Sequence, residues 1–243
     1  MDVLAANDHS VYAATINGSI YKINGDEMSA NFSIEGTMWL DFGLDNETIY
    51  AIAGNRLLCA LDANTLAVKC QNWLEYDPKC VTLVKVADEV WVGDKKTGKI
   101  HVHDIRNLNE KEEDSFDAHG QYAVDCLTTS KDGTMVASGD HNRRIKVWGA
   151  TTKAEEHEYG HHKNFVADAC FTQDGSGIAS VSDDHFLVVY NCATKKHFAV
   201  PRIHGDKRVN AVTVTADKTI FTVGDDCQVR EWPASETWDK IPA

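Results

Sequence analysis

Trp148, Tyr190 and Trp232 stand 42 residues apart, and each closes the same short pattern. Ten residues before each aromatic is a hydroxyl: Ser138, Ser180 and Thr222. Six before it is a carboxylate or its amide: Asn142, Asp184 and Asp226. Farther upstream a histidine adjoins a glycine, as His119-Gly120, Gly160-His161 and His204-Gly205. A fixed period of this length marks one supersecondary unit repeated, each copy burying its apolar surface only against a neighbour.

Within a period three short runs alternate in polarity. In the second they are residues 165–171, 177–181 and 186–190. Alternation with a period of two predicts strands. The first two runs are separated by Lys131-Asp132-Gly133, Gln173-Asp174-Gly175 and Ala216-Asp217, turn sequences in which Asp-Gly supplies positive φ. Each period is thus an antiparallel meander, and meanders of this period stack around an axis. The pattern predicts an all-β, WD40-type β-propeller.

The repeated polar residues have a structural use in such a blade. An indole N–H bonds a hydroxyl, the hydroxyl an imidazole, the imidazole a carboxylate. Buried members left unpaired cost about 1–3 kcal/mol each, so the set is kept together. The last repeat has the whole set: His204, Thr222, Asp226 and Trp232. The fifth is expected to use His161, Ser180 and Asp184, with Tyr190 in place of tryptophan. The fourth uses His119, Ser138 and Trp148, with Asn142 in place of aspartate. Ser, His and Asp at these spacings also resemble a hydrolase triad, but a triad occurs once and this pattern recurs. No catalytic residues are expected.

Weaker repeats precede these three. The six repeat ends fall at Ile23, Leu61, His103, Trp148, Tyr190 and Trp232, with spacings of 38, 42, 45, 42 and 42. The first repeat carries an Asn17-Gly18 turn, the second starts at Thr37, and the third has a long turn over 94–98. More polar runs at 66–71, 111–116 and 197–200 are the expected outer strands, and the acidic run 110–114 a solvated edge. The sixth blade needs an outer strand, expected from residues 237–241. Otherwise the chain is an incomplete seven-bladed ring rather than six blades. No linker divides residues 1–243, which are expected to form a single propeller domain.

Net charge is −13, which argues against nucleic acid. The acidity is uneven: residues 1–120 hold 10 basic and 20 acidic side chains, residues 121–243 hold 14 and 17. The 7 cysteines are dispersed without close pairs, as free thiols of a reducing compartment would be. No basic leader or long apolar run is visible, so a cytoplasmic protein with no membrane segment is expected.

From Gln121 onward the motifs become more specific. Glu158-Tyr159-Gly160-His161-His162-Lys163, the later Ile203-His204-Gly205 turn and Gly224-Asp225-Asp226-Cys227-Gln228-Val229-Arg230-Glu231-Trp232 resemble the C-terminal end of the actin-interacting protein 1 family, also called WD-repeat protein 1. Residues 89–104 resemble the preceding blade, and Asp77-Pro78-Lys79-Cys80-Val81 its entry. The resemblance covers residues 78–232. It implies two joined propellers that bind cofilin-decorated actin filaments and promote their disassembly. This chain has the length of one propeller and matches the second. The family's actin-contacting surface lies on the first, so no contact residues carry over. A generic scaffold or substrate-receptor propeller of a multiprotein complex is the alternative.

In a WD blade the histidine–glycine loop and the carboxylate turn share one rim. That rim collects His141, Arg143, Arg144, Lys163, Asn164, Asp183, His185, Lys207 and Arg208. Its basic residues, in an acidic chain, are the candidate contacts for an acidic protein surface. Trp73 and Tyr76 are the candidate aromatic anchors. His101 and His103 share a strand face, but no ligand joins them at a metal-binding spacing. No cofactor is expected, since no phosphate-binding glycine loop is present.

Overall fold

The computed structural model describes residues 3–6, 10–15, 18–24, 27–34 and 39–242. Asn17 and Thr37 lie outside these described residues. The chain divides into two compact units, Met1–Gln121 and Tyr122–Ala243.

In the first unit, β1 (Val3–Ala6), β2 (Val11–Ala14), β3 (Ser19–Asn24) and β4 (Glu27–Ser33) form one antiparallel sheet. A second holds β5 (Trp39–Leu44), β6 (Thr48–Ala53), β7 (Leu57–Asp62) and β8 (Val68–Trp73). A third holds β9 (Pro78–Val84), β10 (Glu89–Asp94), β11 (Lys99–Asp104) and the short β12 (Phe116–Asp117). In the second unit the fourth sheet is β13 (Val124–Thr129), β14 (Met135–Asp140), β15 (Ile145–Gly149) and β16 (Glu155–Tyr159). The fifth is β17 (Val166–Phe171), β18 (Gly177–Ser182), β19 (Leu187–Asn191) and β20 (His197–Val200). The sixth has three strands, β21 (Val209–Val214), β22 (Ile220–Gly224) and β23 (Val229–Trp232). All six expected repeat ends fall on the third strand of a sheet.

The meander follows from the alternation, and stacking follows from the residues on both faces. Ile49, Ala51 and Ala53 of β6 pack towards Tyr12 and Ile20 of the first sheet. Tyr50 and Ile52, the intervening residues, pack towards Val81, Val90 and Val92 of the third. The second unit repeats the arrangement: Ile178 and Val188 face Ile145 and Val147, while Ala179, Val181 and Val189 face Val212 and Ile220. A middle strand buried on both faces reads as an unbroken apolar run, as Thr48–Ala53 does. Each fully buried isoleucine in these layers stabilises the stack by about 1.5–3 kcal/mol.

Two expected edges are absent. Residues 237–241 are not a strand. Beyond Pro233 the chain makes two 3₁₀ turns, Ala234–Glu236 and Trp238–Lys240. The Trp238 indole donates to the Lys218 carbonyl at 2.8 Å, and its ring joins the core between the fifth and sixth sheets. It lies so close to Gly177 that a Cβ there would sit 2.5 Å from the ring. Apolar docking of this tryptophan takes the place of ladder pairing. Of 111–116, only Phe116 enters a strand, because Glu110 and Lys111 are drawn inward to buried partners described below.

The hairpin between the second and third strands of each sheet holds one residue in the left-handed region: Gly18 (φ 94), Arg56 (φ 69), Gly98 (φ 70), Arg143 (φ 72), His185 (φ 70) and Cys227 (φ 59). Only glycine occupies that region without strain from its Cβ. Arg143 carries the strain, with no carboxylate partner among the described residues to offset it. Arg143→Gly is expected to raise the free energy of unfolding by about 0.5–1 kcal/mol, read from the urea midpoint.

Candidate protein-binding rim

The polar pins are clearest in the sixth sheet. The Trp232 indole N–H donates to Thr222 Oγ1 at 3.0 Å. His204 meets Thr222 Oγ1 through Nε2 at 2.8 Å and Asp226 through Nδ1 at 2.7 Å. A carboxylate can only accept, so Nδ1 carries the proton and Nε2 receives the threonine O–H. In the fourth sheet the Trp148 indole donates to Ser138 Oγ at 2.8 Å. His119 and Ser138 are both buried.

The fifth sheet corrects the sequence reading by one residue. The pin is His162, not His161: Nε2 accepts from Ser180 Oγ at 2.7 Å and Nδ1 donates to Asp184 Oδ2 at 3.1 Å. His161 is exposed, its ring centroid 3.5 Å from that of His197. The loop between Gly160 and β17 brings the second histidine inward. Tyr190 is a second correction. Its ring is fully buried, 4.6 Å from that of Tyr159, but its hydroxyl has no hydrogen-bond partner. A phenol carries its O–H at the tip of the ring, whereas an indole carries its N–H on the flank. The chain in this blade therefore ends at the serine.

The third sheet is pinned by residues that repetition did not reveal. The Trp91 indole donates to the buried Glu89 at 2.8 Å, and Lys111 Nζ meets the same carboxylate at 3.0 Å. His103 donates through Nδ1 to the Leu108 carbonyl at 2.9 Å and accepts from the Tyr76 hydroxyl at 2.7 Å. The Tyr76 ring stacks on His101 at 3.6 Å, and His101 Nδ1 donates to Glu110 at 2.6 Å. Tyr76 is thus a packing residue, not an exposed anchor, and Glu110 is a buttress rather than a solvated edge charge. Trp73 is the last residue of β8, and it is 59% exposed.

A second unforeseen device joins neighbouring sheets. Asp41 accepts the amides of Phe42 and of Val81 in the next sheet, both at 2.8 Å. Asp168 does the same for Ala169 at 2.8 Å and Val212 at 2.9 Å. The innermost strand of each sheet has an open edge, and these carboxylates take amides that the ladder leaves free. Burial pushes the Asp168 carboxyl up to about 6, against the effect of its two amide donors. An aspartate inside an apolar run was the available signal.

These pins hold the turns that form the rim in the second unit. Arg208 binds Asp183 through Nε at 2.6 Å and through a terminal nitrogen at 3.1 Å. His185 Nδ1 donates to the Lys207 carbonyl at 2.9 Å, and Asp184 accepts the Lys163 amide at 2.6 Å. Phe165 lies against both the His141 ring, at 5.0 Å and nearly parallel, and the Arg208 guanidinium, at 5.4 Å. Arg144 pairs with Glu158. Of the rim cations proposed from sequence, Arg144 and Arg208 are therefore matched by carboxylates. Arg143, Lys163 and Lys207 have no ion partner among the described residues. Asn142 lines a cleft beside Arg143, while Asn164 Oδ1 accepts the Phe165 amide at 2.9 Å.

Stacked meanders, pinned in the sixth sheet by a complete indole–hydroxyl–imidazole–carboxylate chain, define a WD40-type β-propeller, a fold that binds proteins. The family model for the WD domain, G-beta repeat, matches residues 110–149 and 154–191. The chain is similar to WD repeat-containing protein 1-B of Xenopus laevis, 29% identical over 163 residues, covering 65% of this chain and 26% of that protein. It is also similar to the 66 kDa stress protein of Physarum polycephalum, 28% identical over 172 residues, covering 70% and 27%. The match thus spans about a quarter of these relatives' length. The crystal structure of the computationally designed Ika8 protein shares the fold, with a TM-score of 0.75 at 16% identity over 96% of this chain and 70% of that one. Among the described residues no helix is long and apolar enough to cross a membrane.

Two outcomes separate pins from bystanders. His162→Ala takes the imidazole partner from both Ser180 and Asp184 and is expected to lower stability by about 2–3 kcal/mol in urea denaturation, while His161→Ala costs under about 1 kcal/mol. The second concerns pH. An unfolded aspartate titrates near 4, so between about 4 and 6 the folded chain binds the extra proton at Asp168. Stability from this group falls as pH rises through that window. Burial pushes Asp184 and Asp226 up as well, but their histidine and amide donors outweigh it and hold both below the usual range. Their contribution is present above about pH 4 and is lost below it. Urea midpoints between pH 4 and 7 are expected to show a shallower decline in Asp168→Asn than in the parent chain.

Proposed function

We propose that this chain is a non-enzymatic, protein-binding propeller that acts with actin and cofilin to promote filament disassembly in the cytoplasm. The observation that carries the reading is the similarity to WD repeat-containing protein 1 over about two thirds of the chain. The motifs between Pro78 and Trp232 that resemble the actin-interacting family support the same reading. The rim is the surface that fits it. Arg143, Lys163 and Lys207 have no ion partner among the described residues, in a chain of net charge −13, and sit on turns beside the buried pins. Trp73 supplies an exposed aromatic in the first unit.

Co-sedimentation with filamentous actin tests the reading. The chain is expected to pellet with filaments when cofilin is present and much less without it, and to speed the loss of filament mass. Equal recovery in the supernatant under both conditions would favour a scaffold or substrate-receptor propeller of another complex.

A further inference from the structure

The turn between β14 and β15 opens onto a cleft of about 420 Å³ walled by Asn142, Arg143, Arg144, Glu158, Gly160 and His162. Its charges do not balance. Arg144 pairs with Glu158, whose carboxylate also lies 3.7 Å from Lys146 Nζ, itself paired with Glu155. The His162 ring is occupied, Nε2 by Ser180 and Nδ1 by Asp184. Arg143 is left, exposed at the mouth, with no carboxylate among the described residues. Its backbone sits at φ 72, where glycine would be favoured, yet the position carries a long cationic side chain. The wall is open at Gly160, where a Cβ would meet nothing within 4 Å.

We propose that this cleft receives a carboxylate side chain from an acidic segment of a protein partner. Arg143 makes the first contact. Arg144 then divides its guanidinium between the incoming carboxylate and Glu158, which holds the group in place while the cleft is empty. Guanidinium suits this task, because its fixed fork of donors matches a carboxylate and its charge persists at every physiological pH. A polyanion such as nucleic acid is disfavoured by a chain of net −13, whereas one carboxylate can be satisfied locally. The inference rests on the protein-binding reading above, but not on actin being the partner.

The test is fluorescence anisotropy of the full chain with a labelled peptide rich in Asp and Glu, beside its Asn and Gln counterpart. The acidic peptide is expected to bind at least tenfold tighter. Arg143→Gly is expected to weaken it about tenfold, the scale of one charge-assisted hydrogen-bond pair, without lowering the urea midpoint. Gly160→Gln, which fills the open wall, is expected to weaken it similarly. Glu158→Gln removes the internal competitor and is expected to tighten binding about threefold, while Glu156→Gln, an equal charge change on the same strand, leaves it unchanged. Equal affinity for the two peptides, or wild-type affinity in both Arg143→Gly and Gly160→Gln, would overturn the proposal. So would equal effects of Glu156→Gln and Glu158→Gln, which would mean a diffuse field and no cleft. A phosphoserine peptide that binds where the acidic one does not would reassign the site to phosphate. Peptide binding lost with cofilin-dependent co-sedimentation retained removes the cleft alone; the reverse removes the filament reading alone.

Discussion

Ile49, Ala51 and Ala53 leave β6 on one side and Tyr50 and Ile52 on the other, and both sets are buried. A sheet with two apolar faces gains little from folding alone, since half of what it could bury stays in water. Stacking is therefore a condition of the fold, and it explains why the same period recurs. Stacking of apolar faces is non-directional, however, and permits sheets to slide or rotate. Direction comes from polar groups with one acceptable partner. Asp41 and Asp168 each reach from one sheet to a single amide of the next. The indole, hydroxyl, imidazole and carboxylate chains fix the turns against the strands within a sheet. The apolar layers supply most of the free energy, and the buried polar groups select one arrangement.

Much of this was legible in the chain because it repeats. A spacing of 38 to 45 residues placed the third strand of each blade, including the weak ones at Ile23 and Leu61. The whole pin of the last blade could be named in advance from His204, Thr222, Asp226 and Trp232. Repetition carries less information once a blade departs from it. Gly160-His161 matched the expected dipeptide, yet the adjacent His162 is the one that turns inward. Adjacent side chains leave an extended loop on opposite sides, so a shift of one residue exchanges pin and surface. Tyr190 matched by position and aromaticity but not by where its polar atom lies. The third blade uses Tyr76 with His103 and Glu89 with Trp91, pairs that occur in no other repeat and so had no period to reveal them.

The rim shows the same division. Its cations were visible as a class, because the turns that carry them are fixed by the repeat. Which of them are neutralised was not visible. Arg208 finds Asp183 across 25 residues and Arg144 finds Glu158 across 14. These ion pairs connect elements whose proximity depends on blade stacking and turn geometry. Exposed pairs of this kind contribute little stability. Their consequence is selective: they subtract charge from two positions, while Arg143, Lys163 and Lys207 have no ion partner among the described residues.

The blade pins also bear on chemistry. Ser180 or Thr222, a histidine and an aspartate form a hydroxyl–imidazole–carboxylate sequence of the sort a hydrolase uses, with the proton on Nδ1 facing the acid. In a hydrolase the nucleophilic oxygen needs a free lone pair directed at a reacting carbon and room for that carbon to arrive. Here Thr222 Oγ1 donates to the imidazole and accepts from the Trp232 indole, and neither Ser180 nor Thr222 has solvent exposure. In the sixth sheet the Trp232 indole takes the lone pair that a nucleophile would need. The features that make the set a good fastener, saturation and burial, remove what would make it a catalyst. That is why the same residue types can recur from blade to blade.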